Sequence, residues 1–382
     1  MDSEKLGALA VYIHWPYCTR ICPYCDFNVY KNRADNDLVA AICDDLTYWR
    51  NWGGPRDVSS IHFGGGTPSL LSPEEIAQII SHIRGLWHVA EPCEIALEAN
   101  PNDASETRWN GYVKAGIGRL SLGVQSFHDP ALKLLGRDHS GAEGKAALRL
   151  AAGIFPRVSA DLIYGWAGQD KDLLARDLDI LLGSGIGHIS AYQLTIEDGT
   201  AFGNAEARGD VKAVDADISA EFYEQVRGAL MGAGFSHYEV SNFAKPQQRS
   251  QHNLAYWQGR DYVGVGPGAH GRMTAGGKKY AAVAARQPDD YQTKISATGN
   301  GIDSQSALSA QEHGDEYVLM GLRIDEGISL RRYTGITGKA LPQKVIDTLI
   351  KDGLLEQKNA RLMASAQGRL VLNTLTDMLL LD

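Results

Sequence analysis

The chain has 382 residues, 44% apolar and 22% charged, enough for one large domain and a smaller one around a sizeable core. Its formal charge of -9 argues against broad binding to nucleic acid, and no run of about 18 apolar residues marks a membrane span. The acidic start MDSEKLGALAVYIHW reaches a histidine before any apolar region of signal-peptide length, so a cytoplasmic protein is expected, and five cysteines do not make a disulfide framework here.

Periodicity predicts a strand over LAVYIHW, then a loop holding Cys18, Cys22 and Cys25, then a helix over DLVAAICDDLTYWR. VSSIHF is the next strand. GGGTP leads from it into a helix opened by Ser72 as N-cap, with Pro73 in its first turn and Glu75 closing a capping box. EIALEAN, RLSLGVQ, VSADLIYG and HISAYQLT follow as strands. Helices are expected from about Ala104, over Pro130 to Leu135 and Gly141 to Ala152, near Leu173 to Leu182, and around Asp217 to Leu230. Six strand-then-helix units require parallel pairing through right-handed crossovers, in an open doubly wound sheet or a full or partial barrel.

Both architectures gather functional groups outside the C-terminal ends of their strands. At those ends stand the cysteines, Gly64 to Gly66 with Thr67, Glu98 with Asn100, and Gln125 with Ser126. Asp161 with Tyr164 and Tyr192 with Gln193 complete the series. Any one alone reads as a solvated loop-flanking residue. Six strand ends together read as one mouth.

Past about Asn242 the pattern changes to HNLAYW, to the glycine-rich GVGPGAHG, and to a polar stretch reaching about Ser309. Three parts are expected: a barrel over 1–242, a connecting region over 243–308, and a small, mostly helical domain over 309–382. The last combines helices near Gln311 to Arg323 and Lys344 to Lys351 with a hairpin from LLEQ and RLMAS and a final helix, in the order of a winged helix. With an acidic chain and no basic recognition helix, packing or partner binding is expected of it rather than DNA. The run GPGAHG formally fits a dinucleotide fingerprint, but it holds a proline and opens no helix, so a tight turn is the better reading.

The cysteines have the spacing Cys-x3-Cys-x2-Cys. A structural zinc site needs a fourth ligand, which would have to be His14 or a distant residue. A glutaredoxin-like dithiol would use Cys22 and Cys25 but leaves Cys18 without a role. Three thiolates can instead hold three irons of a [4Fe-4S] cluster and leave the fourth iron open to an exogenous ligand.

The last arrangement resembles the radical S-adenosylmethionine superfamily, in which the same spacing follows the first strand of a partial barrel and the open iron takes S-adenosylmethionine. The resemblance implies an α/β fold, a radical-SAM partial (β/α)6 barrel with a small C-terminal winged-helix-like domain. It implies that the glycine segment Gly64 to Gly66 meets the methionine part of S-adenosylmethionine, with Gly65, Gly66 and Thr67 among the residues that bind it. It also implies that Tyr12, Tyr24, Glu98, Gln125, Arg137, Asp161 and Gln193 bind that cofactor. Arg137, read without the family, is a solvated helix residue.

Across the chain YIHWPYC, FGGGTPSLL, LGVQSF, DLIYGWAGQ, YEVSNFA, HNLAYW and GVGPGAHG resemble, in order, the HemW family of heme chaperones, relatives of the oxygen-independent coproporphyrinogen III dehydrogenase. That enzyme carries a further cysteine where this chain has Phe27, and a longer segment before its first strand. Family members typically read Leu-Pro where Trp166 and Ala167 stand. His252, Asn253, Tyr256 and Trp257 form the His-Asn-x-x-Tyr-Trp motif that the family associates with heme, and His270 is a second candidate. The resemblance therefore implies heme and a heme-acceptor protein as partners, and coproporphyrinogen III oxidation as the alternative. It leaves open cleavage of S-adenosylmethionine, dimerisation and membrane docking.

Overall fold

The computed structural model describes residues 7–31 and 37–380. Residues 1–6, part of the acidic start in which no signal peptide is read, lie outside them. Among the described residues six strands lie side by side in chain order: β1 (Leu9–Trp15), β2 (Asp57–Gly65), β3 (His88–Ala99), β4 (Arg119–Gln125), β5 (Arg157–Tyr164) and β6 (His188–Gln193). Each pairs in parallel with the next. Alternate side chains of a strand face opposite ways. Leu9, Val11, Ile13 and Trp15 of β1, Leu120, Leu122 and Val124 of β4, and Val158, Ala160 and Leu162 of β5 accordingly join the crossover helices in one apolar core. The intervening positions carry polar groups that meet across the strands. His62 bonds Glu98 at 2.8 Å, Ser121 donates to Asp161 at 3.3 Å, and Ser159 bonds His188 at 2.6 Å. The inner face of the sheet is thus a polar layer.

The helix predicted after GGGTP forms over Pro73–Leu86 with Ser72 and Glu75 in a reciprocal capping box. Ser140 with Glu143 and Ser309 with Glu312 repeat the device.

Residues 243–308 are not a mere connection. β7 (Ser236–Glu239) and β8 (Asn242–Ala244) extend the sheet antiparallel beyond β6, while β9 (Tyr262–Val265) lies parallel on the other side of β1. From β9 an antiparallel meander of β10 (His270–Ala275), β11 (Lys278–Ala284) and β12 (Ile302–Ala307) runs to the edge. An edge strand with an open face has no need of a continuous apolar run, which is why this stretch looks structureless in sequence. The expected turn in GVGPGAHG joins β9 to β10. There a Cβ at Gly264 would fall 1.9 Å from the His270 carbonyl oxygen, and Gly266 has φ +101.

The C-terminal part has its own core, including Val318, Leu322, Ile328, Ile346, Leu362 and Leu375. Its three-stranded sheet joins Ile328–Ser329, Arg361–Ala364 and Leu355–Lys358, so the expected hairpin is present. Arg323 reaches from it to the buried Glu239, and Arg272 of the meander forks onto its Glu316. Among the described residues no helix is long and apolar enough to cross a membrane.

Candidate functional site

Cys18, Cys22 and Cys25 line a cavity of about 250 Å3 at the C-terminal ends of β1 to β6. The loop that carries them is anchored at both ends. At its start Gly66 N–H donates to the Trp15 carbonyl at 2.7 Å and Thr67 N–H to the Tyr17 carbonyl at 2.9 Å. At its close Asn28 accepts from His14 Nε2 at 2.9 Å and donates to the carbonyls of Pro267 and Arg286 at 3.0 and 2.9 Å. A Cβ at Gly66 would stand 2.7 Å from the Tyr17 carbonyl oxygen and 3.0 Å from Cys18 Sγ, so glycine is what lets the second strand approach the thiols.

Burial raises the Cys18 thiol and pushes Cys25 up to about 11, so loading with metal has to release protons from this loop. Among the described residues no three His, Cys, Asp or Glu side chains close on a single metal ion, although three thiols share the cavity wall. That donor set fits a multi-iron cluster better than one zinc. Arg137 is not a solvated helix residue: it donates to Cys22 Sγ at 3.3 Å, to Asn100 Oδ1 at 2.6 Å and to the Gly123 carbonyl at 2.9 Å.

The same cavity is lined by Tyr24, Gly65, Gly66, Thr67, Glu98, Gln125 and Asp161. Gln125 takes φ 61, uncommon for a residue with a side chain, and its Oε1 is buried without a partner among the described residues, as is Arg137 Nε. A buried polar atom left unpaired costs about 1–3 kcal/mol. A zwitterionic ligand carrying ammonium, carboxylate and ribose hydroxyls would supply such partners. Burial, then the neighbouring Glu98, lifts Asp161 to about 6.

Two residues from the sequence reading stand elsewhere. Gln193 lines a separate cleft with Ser219, Tyr223 and Arg369. Tyr12 lines the second cavity described below. Ser121 and His62 join the polar layer without a motif to mark them. Their only signal is a polar residue at every second position of RLSLGVQ and VSSIHF.

The HNLAYW segment forms a short helix, Gln251–Trp257, capped by Ser250, whose Oγ accepts from Asn253 N–H at 3.3 Å. Its start is pinned by Glu94, which accepts from Arg157 at 2.7 Å, from His252 N–H at 3.0 Å, from Ser250 Oγ at 3.3 Å and from Arg119 at 3.5 Å. Burial alone would raise that carboxyl, but Arg119 and Arg157 hold it below the usual carboxylate range. His252 is buried against the polar layer. Its Nδ1 bonds Ser60 Oγ at 3.0 Å, its Nε2 bonds Tyr256 OH at 2.7 Å, and its ring stacks on His62 at 4.8 Å. Burial and then His62 keep it uncharged well into acid.

Tyr256 and Trp257 face a second cavity of about 270 Å3, with Asn253 outside its lining. Tyr256 meets Tyr262 edge to face at 4.5 Å, and the guanidinium of Arg323 lies 4.6 Å from the Trp257 ring. His270 and His313 also open into it. Desolvation lowers both, His313 to about 4.

The chain matches the Radical SAM superfamily over residues 12–181 and the HemN C-terminal domain over residues 308–371. It is 38% identical over 380 residues to "Radical S-adenosyl methionine domain-containing protein 1, mitochondrial" of Bos taurus, covering 96% of this chain and 86% of that one. It is 35% identical over 387 residues to "Heme chaperone HemW" of Escherichia coli (strain K12), covering 99% of this chain and all of the other. Among solved structures, coproporphyrinogen III oxidase (HemN) from Escherichia coli, a radical SAM enzyme, superposes with a TM-score of 0.82 over 99% of this chain and 91% of that chain, at 20% identity. The last likeness speaks to fold alone.

Proposed function

Because the chain belongs to the HemW family of the radical SAM superfamily, we infer that it is a heme chaperone, which binds a [4Fe-4S] cluster, S-adenosylmethionine and heme and passes heme to an acceptor protein. The observation that carries this reading is the pairing, in one chain, of a three-thiol cavity with a separate aromatic cavity. Cys18, Cys22 and Cys25 are the proposed iron ligands. A bound cluster supplies a reducing electron and an open iron for S-adenosylmethionine. Gly66 keeps the cavity wall close to the thiols, Arg137 donates to the Cys22 sulfur, and Asp161, Glu98, Gln125, Thr67 and Tyr24 offer polar partners to the rest of that cofactor. The reading includes a cytoplasmic site of action.

The second reading is coproporphyrinogen III dehydrogenase, favoured by the match to the HemN C-terminal domain. Against it stands Phe27, which lines the first cavity with 61% of its surface exposed, where that enzyme by resemblance has a further thiol. The test is anaerobic reconstitution. Wild type is expected to show a broad visible absorption that Cys18→Ala, Cys22→Ala and Cys25→Ala abolish, to take up heme, and to release it to apo-acceptor. Turnover of coproporphyrinogen III with S-adenosylmethionine and reductant would replace the chaperone reading with the enzymatic one.

A further inference from the structure

The helix Ala310–Gly321 turns one stripe toward the second cavity. His313, Glu316, Tyr317 and Met320 stand at i, i+3, i+4 and i+7, and all four line it. Two of them are committed elsewhere. Glu316 is held by Arg272 at 2.7 and 3.0 Å, and Tyr317 OH accepts from Ser329 N–H at 2.8 Å. His313 is half-buried, His270 is exposed at the start of β10, and neither ring makes a hydrogen bond among the described residues. His252 is the opposite case, with both ring nitrogens engaged inside the barrel.

The cavity therefore holds what a flat metallomacrocycle needs. Tyr256 and Trp257 offer apolar faces, and two imidazoles have lone pairs to give. Arg260 lines the rim without an ion pair among the described residues, in place for a carboxylate side arm. A cavity of about 270 Å3 with an exposed histidine at its edge encloses only part of such a molecule, which suits cargo that has to leave.

We propose that heme docks in this second cavity, between the HNLAYW helix and the C-terminal domain, with its iron ligated through His313 or His270 and not through His252. The motif histidine is then a positioning residue, fixing Tyr256 as part of the cavity wall. The inference rests on the heme-chaperone reading above, and the two fail in different ways.

The experiment titrates full-length protein with hemin and follows the Soret and visible bands. Expected is that His270→Ala with His313→Ala, in one chain, shifts the Soret band and weakens affinity by about tenfold or more. His252→Ala should keep the wild-type band positions. His313→Cys should introduce a thiolate-ligated spectrum, a gain that a folding defect cannot mimic. If wild type takes up no heme, the chaperone reading falls and this site with it. If wild type binds heme and the double variant retains its spectrum and affinity, while His252→Ala loses them, the chaperone reading stands and this assignment is overturned.

Discussion

Replacing Glu94 by glutamine tests whether the polar interior of the barrel holds the HNLAYW helix. The Glu94 side chain is 2% exposed, and its partners Arg119 and Arg157 are 5% and 23% exposed. Glutamine keeps the shape and one acceptor but removes the charge, leaving Arg119 desolvated without a counter-ion. Breaking a buried pair from one side costs about 3–5 kcal/mol. An unfolding entropy of about 2.1 cal/mol/K per residue, over the whole chain, converts this to a fall in melting temperature of about 4–6 °C. The folded Glu94 carboxyl is held below its unfolded value, so its contribution is present at neutral pH and is lost as pH falls through the folded value. The gap between wild type and Glu94→Gln should accordingly close in acid. Calorimetry from pH 7.5 downward measures both effects. A variant melting within about 1 °C of wild type at pH 7.5, or a gap unchanged in acid, would refute the argument.

Gly66→Ala places a methyl group against a backbone oxygen that cannot yield, so the cysteine loop must shift, at about 1–3 kcal/mol. Bound iron and sulfide after reconstitution should drop sharply while far-ultraviolet circular dichroism stays that of wild type; full cluster content would contradict this. For Asp161, the folded carboxyl at about 6 lies above its unfolded value, so ionisation there penalises the fold above about pH 6 and the penalty fades as pH falls toward 4. Asp161→Asn should therefore stabilise the empty protein by up to about 3 kcal/mol at pH 8, by nothing near pH 4, and weaken S-adenosylmethionine binding in calorimetric titration. A stability difference independent of pH would be incompatible with it.

The strands and helices of the barrel are legible in the chain because each strand buries one apolar face and the longer crossover helices open on a side-chain cap, such as Ser72, Ser105, Ser140 and Asp170. RLSLGVQ reads its own orientation, with Leu120, Leu122 and Val124 outward and Ser121 and Gly123 inward. The cysteine cavity is legible for a different reason: strand ends converge in any parallel α/β sheet, so position along the strand predicts proximity. The meander over 270–307 is not legible, since strands with a solvated face carry Lys278, Ser304 and Gln305 where a central strand would carry valine. Arg137 cannot be told from a surface arginine until the sulfur, amide and carbonyl that receive it are assembled from three elements. His252 is the sharpest contrast. Its residue type and aromatic neighbours suggest a ligand, yet two hydroxyls, one of them from β2, already occupy the ring.

The tether of the cysteine loop sets an order of events in the life of the chain. Asn28 is fastened to Pro267 and Arg286, more than two hundred residues downstream, and Tyr30 OH also donates to the Arg286 carbonyl at 3.0 Å. β1, immediately before the loop, needs β9 as one of its two neighbours. A ribosome therefore exposes three thiols early and cannot complete their frame until about three quarters of the protein has been made. The pocket that frames the thiols thereby waits on residues made late in synthesis. In the interval the nascent chain carries the three thiols unguarded, open to oxidants and to stray metal ions.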